Sequence, residues 1–244
     1  MAAKKTTQRA AVRVARKIVG EIRKRRLRPG AKLASEHRMV EGFGVARATV
    51  REALRFLELQ GALRIKAGPG GGPVVSVPGA DHLASVLSLQ LQFADASFRS
   101  VLDARKAIYP VLASQAAENA THADVETLHQ SVARMRTKLD ESELLSEESR
   151  RFQDLIAAAS GNRVLGLLVN ALHRMSEDSG VEYDLKQRRA IVRGSEDILR
   201  AIESGDSEAA RVVTEKLLAA AMRYWERTAP DVLKQPVAWI DTDH

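Results

Sequence analysis

The stretch PGAKLASEHRMVEGFGVARATVREALRFLELQGALRIKAGPGGGPVVSV, residues 29–77, constrains the fold more than any other part of the chain. Its turn residues leave room only for short elements. Pro29-Gly30 closes a preceding helix, and Ser35 offers a side-chain oxygen to the free amides of the next, which predicts a short helix over about 35–42. Gly44 stands where a sharp turn between helices calls for positive φ, with Val45 as the apolar plug of that turn. A third helix starts near Ala46. Val50, Ala53, Leu54, Leu57 and Leu59 form its apolar stripe, whereas Arg47, Thr49, Arg51 and Arg55 fall largely off it. The alternating runs LRIKA and PVVSV, on either side of GPGGG, read as two strands of a hairpin.

Three short helices and a glycine-tipped hairpin make a winged helix-turn-helix, and the arginines suit the first turns of its third helix to duplex DNA. Only those turns approach base edges in a major groove, and an arginine there can donate two bonds to the O6 and N7 of a guanine. Arg47 and Arg51 are the candidates for base and adjacent phosphate contacts, with Thr49 and Arg38 on the backbone. GPGGG does not read as a nucleotide-binding loop: no Lys-Ser/Thr follows it, it opens no helix, and proline occupies a position that needs a free amide. Charge is segregated in the same sense. Residues 1–80 carry a net +13 and the remainder −6, so a polyanion-binding module is joined to something that does not bind polyanions. A membrane surface is the competing polyanion. No apolar run reaches the length of about 18 residues that a spanning helix needs, and the N-terminus lacks an apolar signal core, so a cytoplasmic protein with no membrane partner is expected. The chain has no cysteine, which excludes disulfides and thiolate metal sites.

The expected class is mainly α: an N-terminal winged helix-turn-helix with a small β-hairpin wing, then an all-α antiparallel helical bundle. Residues 1–8 read as a flexible basic arm and 9–78 as the DNA-binding domain, whose first helix, 8–26, buries Val12, Ala15, Ile18, Val19 and Ile22. A boundary near Pro78-Gly79 leads to a linker and linker helix over 79–96. A helical domain follows over 97–227, and an irregular tail over 228–244 with Pro230, Pro236 and Trp239. From the boundary on, helices are predicted at 81–92, 97–119, 122–139, 143–160, 162–179, 185–204 and 206–227, with starts marked by Thr121 ahead of Asp124, Ser160-Gly161-Asn162 and Ser204-Gly205-Asp206.

The run from RPGAKLASEH to GPGGGPVV resembles the winged helix-turn-helix of the GntR superfamily of bacterial transcription regulators. VLDARKAIYPVLASQAAENAT, RRFQDLIAAASGNRVL and DILRAIESGDSEAARVV resemble the helical FCD effector domain of its FadR subfamily. The resemblance spans about residues 9–227. It implies a homodimer on a near-palindromic operator, regulated by a small molecule and more often a repressor. It also implies that Gly68 and Gly70, with Lys66 beside them, let the wing approach the minor groove. His37 stands where arginine is common, and Ala46 and Ala48 replace hydroxyl residues around Arg47. Many members of the subfamily hold a divalent metal through one aspartate and three histidines. Those positions fall here at Ser149, Gln153, Ser195 and Leu217, and all four depart from the pattern, so no metal and no other cofactor is expected.

An effector would then be held by protein groups alone. Arg105, in the Asp103-x-Arg105 version of the family's Glu-x-Arg pattern, and Tyr109 one turn further along are the first candidates; Gln153, Asn170, His173 and Ser195 would add neutral hydrogen bonds. Small organic acids, fatty acids and acyl-CoA thioesters are the classes considered. Two other readings remain open at this point: a non-specific architectural DNA protein, and an enzyme with a basic accessory domain, although no Ser-His-Asp, Cys-His or paired-carboxylate arrangement presents itself.

Overall fold

The computed structural model describes residues 2–68, 70–176 and 181–241, with side chains from Arg9 onward. The chain divides into two compact units, 1–82 and 83–244.

In the first unit α1 (Ala2–Lys24) packs on α3 (Arg47–Leu59), with α2 (Glu36–Phe43) set against α3. Ser35 caps α2 by accepting from the Arg38 amide, and Gly44 ends it at φ 63°, the left-handed conformation that the turn requires. Ala11, Val14, Ala15 and Ile18 of α1 meet Met39, Val50, Ala53, Leu54 and Leu57 in one core. Three expectations change here. The helix begins at Ala2, because AAKKTTQ holds no glycine, proline or strong cap to stop it, so the segment expected as an arm is drawn into α1. Val19 is exposed while Val14 is buried. Leu59 is 58% exposed, since it lies two residues from Leu57 and two residues turn a helix by more than half a revolution.

The strands β1 (Leu63–Lys66) and β2 (Gly72–Val75) pair antiparallel, with Leu63 opposite Val75 and Lys66 opposite Gly72. Leu63, Val74 and Val75 are buried, which fixes the register by placing the apolar side of the hairpin on the core.

The second unit is helical: α4 (Ala80–Phe93, which begins in the first unit), α5 (Phe98–Asn119), α6 (His122–Thr137), α7 (Ser142–Ala159), α8 (Arg163–Arg174), α9 (Leu185–Glu203), α10 (Ser207–Thr228) and α11 (Pro230–Lys234). The central α5 touches α7, α8, α9 and α10. Its Leu112, Ala113 and Ala116 are fully buried with Leu128, Phe152, Ile156, Val169 and Ile198 of the surrounding helices. With few aromatics, close approach of helices through alanine does the work that large side chains do elsewhere. Thr121 and Asp124 form a reciprocal capping box at the start of α6. Helix α8 ends at Arg174, well before residue 179. The Ser176 hydroxyl turns back to the His173 carbonyl (2.9 Å), which also accepts from the Ser176 amide, while residues 177–180 lie outside the described chain. The tail is not irregular throughout. Residues 230–234 form α11, Phe98 donates from its amide to the Gln235 carbonyl (2.8 Å), and Leu233 and Val237 are buried, so these apolar anchors bind the segment to the unit.

Candidate functional site

In the first unit, α3 presents Arg47, Arg51 and Arg55 to solvent, while Val50, Ala53, Leu54 and Leu57 hold its other side to the core. Arg47 is 80% exposed and stands 3.9 Å from Glu36, a loose pairing that a phosphate or base can replace. Arg38 on α2 is exposed as well. Ala46 caps α3 without any side-chain bond, and of the first amides of that helix the one on Thr49 donates to the Ala46 carbonyl (2.9 Å). Thr49 departs from its expected place. It is 7% exposed, beside fully buried Val50, because the helix's apolar stripe is wide enough to take in positions 49, 50, 53, 54 and 57, and it does not share the arginines' face.

At the hairpin tip, Lys66 is exposed, and Gly68 and Gly70 adopt φ 92° and 75°. The Lys32 ammonium donates to the Gly70 carbonyl (2.9 Å) and ties the tip to the segment before α2. The glycine that no other residue could replace is Gly71. A Cβ there would stand 2.2 Å from the Lys66 carbonyl oxygen, so the narrow turn itself, rather than φ alone, demands glycine. Sequence reasoning missed this position, since five-residue glycine-rich tips do not reveal which amide passes closest to the opposite strand.

In the second unit a cavity of about 160 Å³ opens among α5, α7, α9, α10 and the segment 181–184. Leu102, Ile191, Leu218, Met222 and Trp225 make an apolar wall. Arg105, Lys106, Arg150, Gln153, Ser149, Ser176 and Tyr183 make the polar one. Arg105 donates from Nη1 to Ser176 Oγ (2.8 Å) and from Nη2 to Gln153 Oε1 (3.0 Å). It does not pair with Asp103, which faces Arg99 at 3.5 Å. Burial lowers the Arg105 pKa to about 10, so the group remains a cation at neutral pH. Tyr183 accepts from Trp225 Nε1 (2.9 Å), and burial raises its pKa.

Of the six side chains expected to hold an effector, Arg105 and Gln153 line this cavity, and Tyr109, Asn170, His173 and Ser195 do not. Ser195 is buried in α9. The other three gather with Asp154, a residue the sequence did not single out. His173 Nδ1 lies 3.3 Å from Asp154 Oδ1, and the Asn170 amide, turned with its nitrogen toward α7, donates to the same oxygen (3.0 Å) and to the Gly166 carbonyl (3.2 Å). The Tyr109 and His173 rings stand 6.1 Å apart, and neither Tyr109 Oη nor His173 Nε2 has a partner. Burial, helped by the charge of Arg105, lowers the His173 pKa to about 4, against the opposing pull of Asp154, so the ring is neutral at pH 7 with its proton on Nδ1. Burial likewise pushes the Tyr109 hydroxyl well above its ordinary range.

The two units answer to two known domain families. Residues 10–72 match the family described as bacterial regulatory proteins, gntR family, and residues 100–220 match the FCD domain. The chain belongs to the GntR family. Among its relatives are the transcriptional regulator LutR of Bacillus subtilis, 32% identical over 59% of this chain and 65% of that protein, and Mce2R of Mycobacterium tuberculosis, 29% identical over 79% and 82%. The chain thus spans slightly less than two thirds of LutR. The transcriptional repressor NanR of Edwardsiella tarda is 31% identical over 59% of the chain and 55% of its own length. The solved structure of Streptococcus agalactiae GntR shares the fold, with a TM-score of 0.72 at 20% identity over 88% of this chain and 99% of that one. The domains and relatives are those of regulators, which removes the enzyme reading.

The metal that the GntR resemblance implies can be tested on the residues present. Ser149, Gln153 and Leu217 line this cavity, and Ser195 sits buried on the adjoining α9. Their chemistry does not fit a divalent ion. Leu217 offers no donor and presses against Gly194, where a Cβ would come within 2.6 Å of its Cδ1, and two hydroxyls and an amide are weak ligands. No group of three histidines or carboxylates among the described residues could hold a metal. No helix among them is long and apolar enough to cross a membrane.

Proposed function

We propose that this GntR-family chain is a sequence-specific transcription regulator that binds duplex DNA as a homodimer and is controlled by a small molecule in its helical unit. The exposed N-terminal face of α3 carries the reading. It sets Arg47 and Arg51 outward from a helix whose other side is locked into the core, the layout by which a recognition helix reaches a major groove. Arg38 and Lys66 supply phosphate contacts, and Gly68 and Gly70 bring the wing close to the minor groove. In this reading residues 9–78 bind DNA and 97–227 bind the effector and the second subunit. The apolar side chains that α4 and α8 leave in solvent, Val86, Leu89, Phe93 and Val164, suit a subunit contact. A two-fold dimer would present two recognition helices to a near-palindromic site. A chromosome reader of this kind works in the cytoplasm. The repressor named among its relatives favours repression, with the effector acting through its difference in affinity for the DNA-bound and free forms.

The decisive experiment selects a cognate fragment from the genome and compares it with random duplex at fixed salt. Arg47→Ala should lose about 1 to 3 kcal/mol on the cognate site and far less on random duplex. Equal affinity of the unaltered protein for every fragment would sink the reading. Light scattering of the free protein tests the dimer.

A further inference from the structure

Arg105 is a half-buried cation with no ion pair among the described residues. Among the described residues no carboxylate lies within ion-pairing distance of it, and none lines the cavity. Its two hydrogen-bond acceptors, Ser176 Oγ and Gln153 Oε1, are neutral, and its Nε has none. Drawing a guanidinium partly out of water without an ion pair costs stability, and such a group is retained where an anion arrives to complete it. The surroundings favour that ligand. Lys106 adds positive charge along the same wall. Tyr183 uses its oxygen to accept from Trp225, which leaves its own O–H to donate into the cavity.

Gln153 is one of the four positions at which the metal donors have been lost, and the Arg105 guanidinium hydrogen-bonds to it. Leu217, another of the four, fills its place with hydrocarbon. A positive centre is therefore kept in the cavity although the ligands for an ion are gone. We propose that Arg105 takes the place of the metal and clamps, directly, the carboxylate of a compact organic acid whose apolar body rests on Leu102, Ile191, Met222 and Trp225. The planar guanidinium matches a carboxylate with two parallel N–H bonds, an orientation that a lysine could not impose. Size narrows the class. The cavity of about 160 Å³ is close to the roughly 150 Å³ apolar cavity that accommodates benzene. An aromatic or branched short-chain acid fits it; a long acyl chain or a coenzyme A thioester does not. This assignment rests on the reading of the helical unit as the effector domain.

The test uses the full-length protein treated with a chelator, titrated with benzoate, phenylacetate and isovalerate and followed by thermal unfolding and calorimetry. Benzamide serves as the uncharged match and octanoyl-CoA as the long-chain match. At least one of the three acids should raise the unfolding midpoint by several degrees with a one-site isotherm, benzamide and octanoyl-CoA should not, and added Zn²⁺, Ni²⁺ or Mn²⁺ should leave the shift unchanged. Arg105→Gln should abolish the shift while keeping or raising the protein's own midpoint, and Arg105→Lys should weaken binding by about tenfold or more. A response that appears only with metal, an amide as effective as its acid, silence from all three acids, or full affinity in both variants would each overturn the assignment. DNA binding is measured separately on the ligand-free protein. Acid binding without DNA selectivity would count against the regulator reading alone, and DNA selectivity without acid binding against this one alone.

Discussion

The face of α3 and the cavity beside α5 both rely on arginine, yet they spend the side chain in opposite ways. Arg47 and Arg51 stand in solvent on a helix whose stability comes from its other side, so their charge is available and structurally dispensable. Arg105 is held by Ser176 and Gln153, distant in sequence, in surroundings that oppose its charge. A surface that must slide along a polyanion can leave its cations hydrated, because counter-ion release supplies the affinity. A cavity that must select one small anion has to fix its cation beforehand. The prediction from this contrast is that substitutions in the helical unit change stability, and those on the DNA face change binding with stability nearly intact.

The largest effect should come from a buried charge of the helical unit. Glu148 is 4% exposed, 3.0 Å from the Arg134 guanidinium, and accepts from the Ser131 hydroxyl (2.7 Å). Burial alone would raise its pKa, but Arg134 and Ser131 outweigh that and hold the carboxyl below its ordinary value. Glu148→Ala strands the Ser131 hydroxyl and the inner side of Arg134, and urea unfolding should report a loss of about 3 kcal/mol. A loss under about 1 kcal/mol, the level of an exposed pair, would remove the contrast between the two regions.

Next in size is a pH effect. His173 has its folded pKa depressed to about 4, below the value near 6.5 for an unfolded histidine. Between those values the unfolded chain binds a proton that the folded chain refuses, so stability is full above about pH 6.5 and falls as pH drops toward 4. The loss over that window is on the order of 2 to 3 kcal/mol. His173→Asn, which retains a donor toward Asp154, should flatten the urea midpoint between pH 6.5 and 4.5. An unchanged slope would mean that the buried ring does not titrate as its surroundings dictate.

What the sequence revealed follows the same division. Elements with local signals were legible: Ser35, Gly44 and the Thr121–Asp124 pair mark helix ends through contacts within a few residues, and the outward arginines of α3 follow from one helix's periodicity. The cavity was legible only in part. Arg105 and Gln153 were found, but Ser176 and Tyr183 come from a helix end and an irregular segment, where no period says which way a side chain points. Tyr109, Asn170 and His173 were assigned to the cavity because they lie on helices that border it; the structure turns them instead toward Asp154, a choice fixed by packing between α5, α7 and α8.

On the DNA face the expected effects are smaller and of another kind. Lys66→Ala should weaken binding to all sequences alike and reduce the slope of log K against log salt by about one, with the unfolding midpoint unchanged. A sequence-dependent loss would assign Lys66 to base reading.

Thr49 makes the finest cut. It lies among outward-facing arginines in the sequence, yet it is buried next to Val50. If the side chain belongs to the core, Thr49→Val should leave both cognate affinity and its salt dependence unchanged, because the valine fills nearly the same volume and no phosphate contact is lost. The hydroxyl's removal should shift the unfolding midpoint only slightly, by well under the roughly 1 to 3 kcal/mol expected when an unsatisfied buried polar partner is left behind. A drop in DNA affinity of the size expected for Lys66→Ala, with a matching change in salt slope, would instead return Thr49 to the phosphate backbone. It would then show that α3 rotates toward the duplex on binding, since a residue buried in the free unit can touch DNA only if the helix turns.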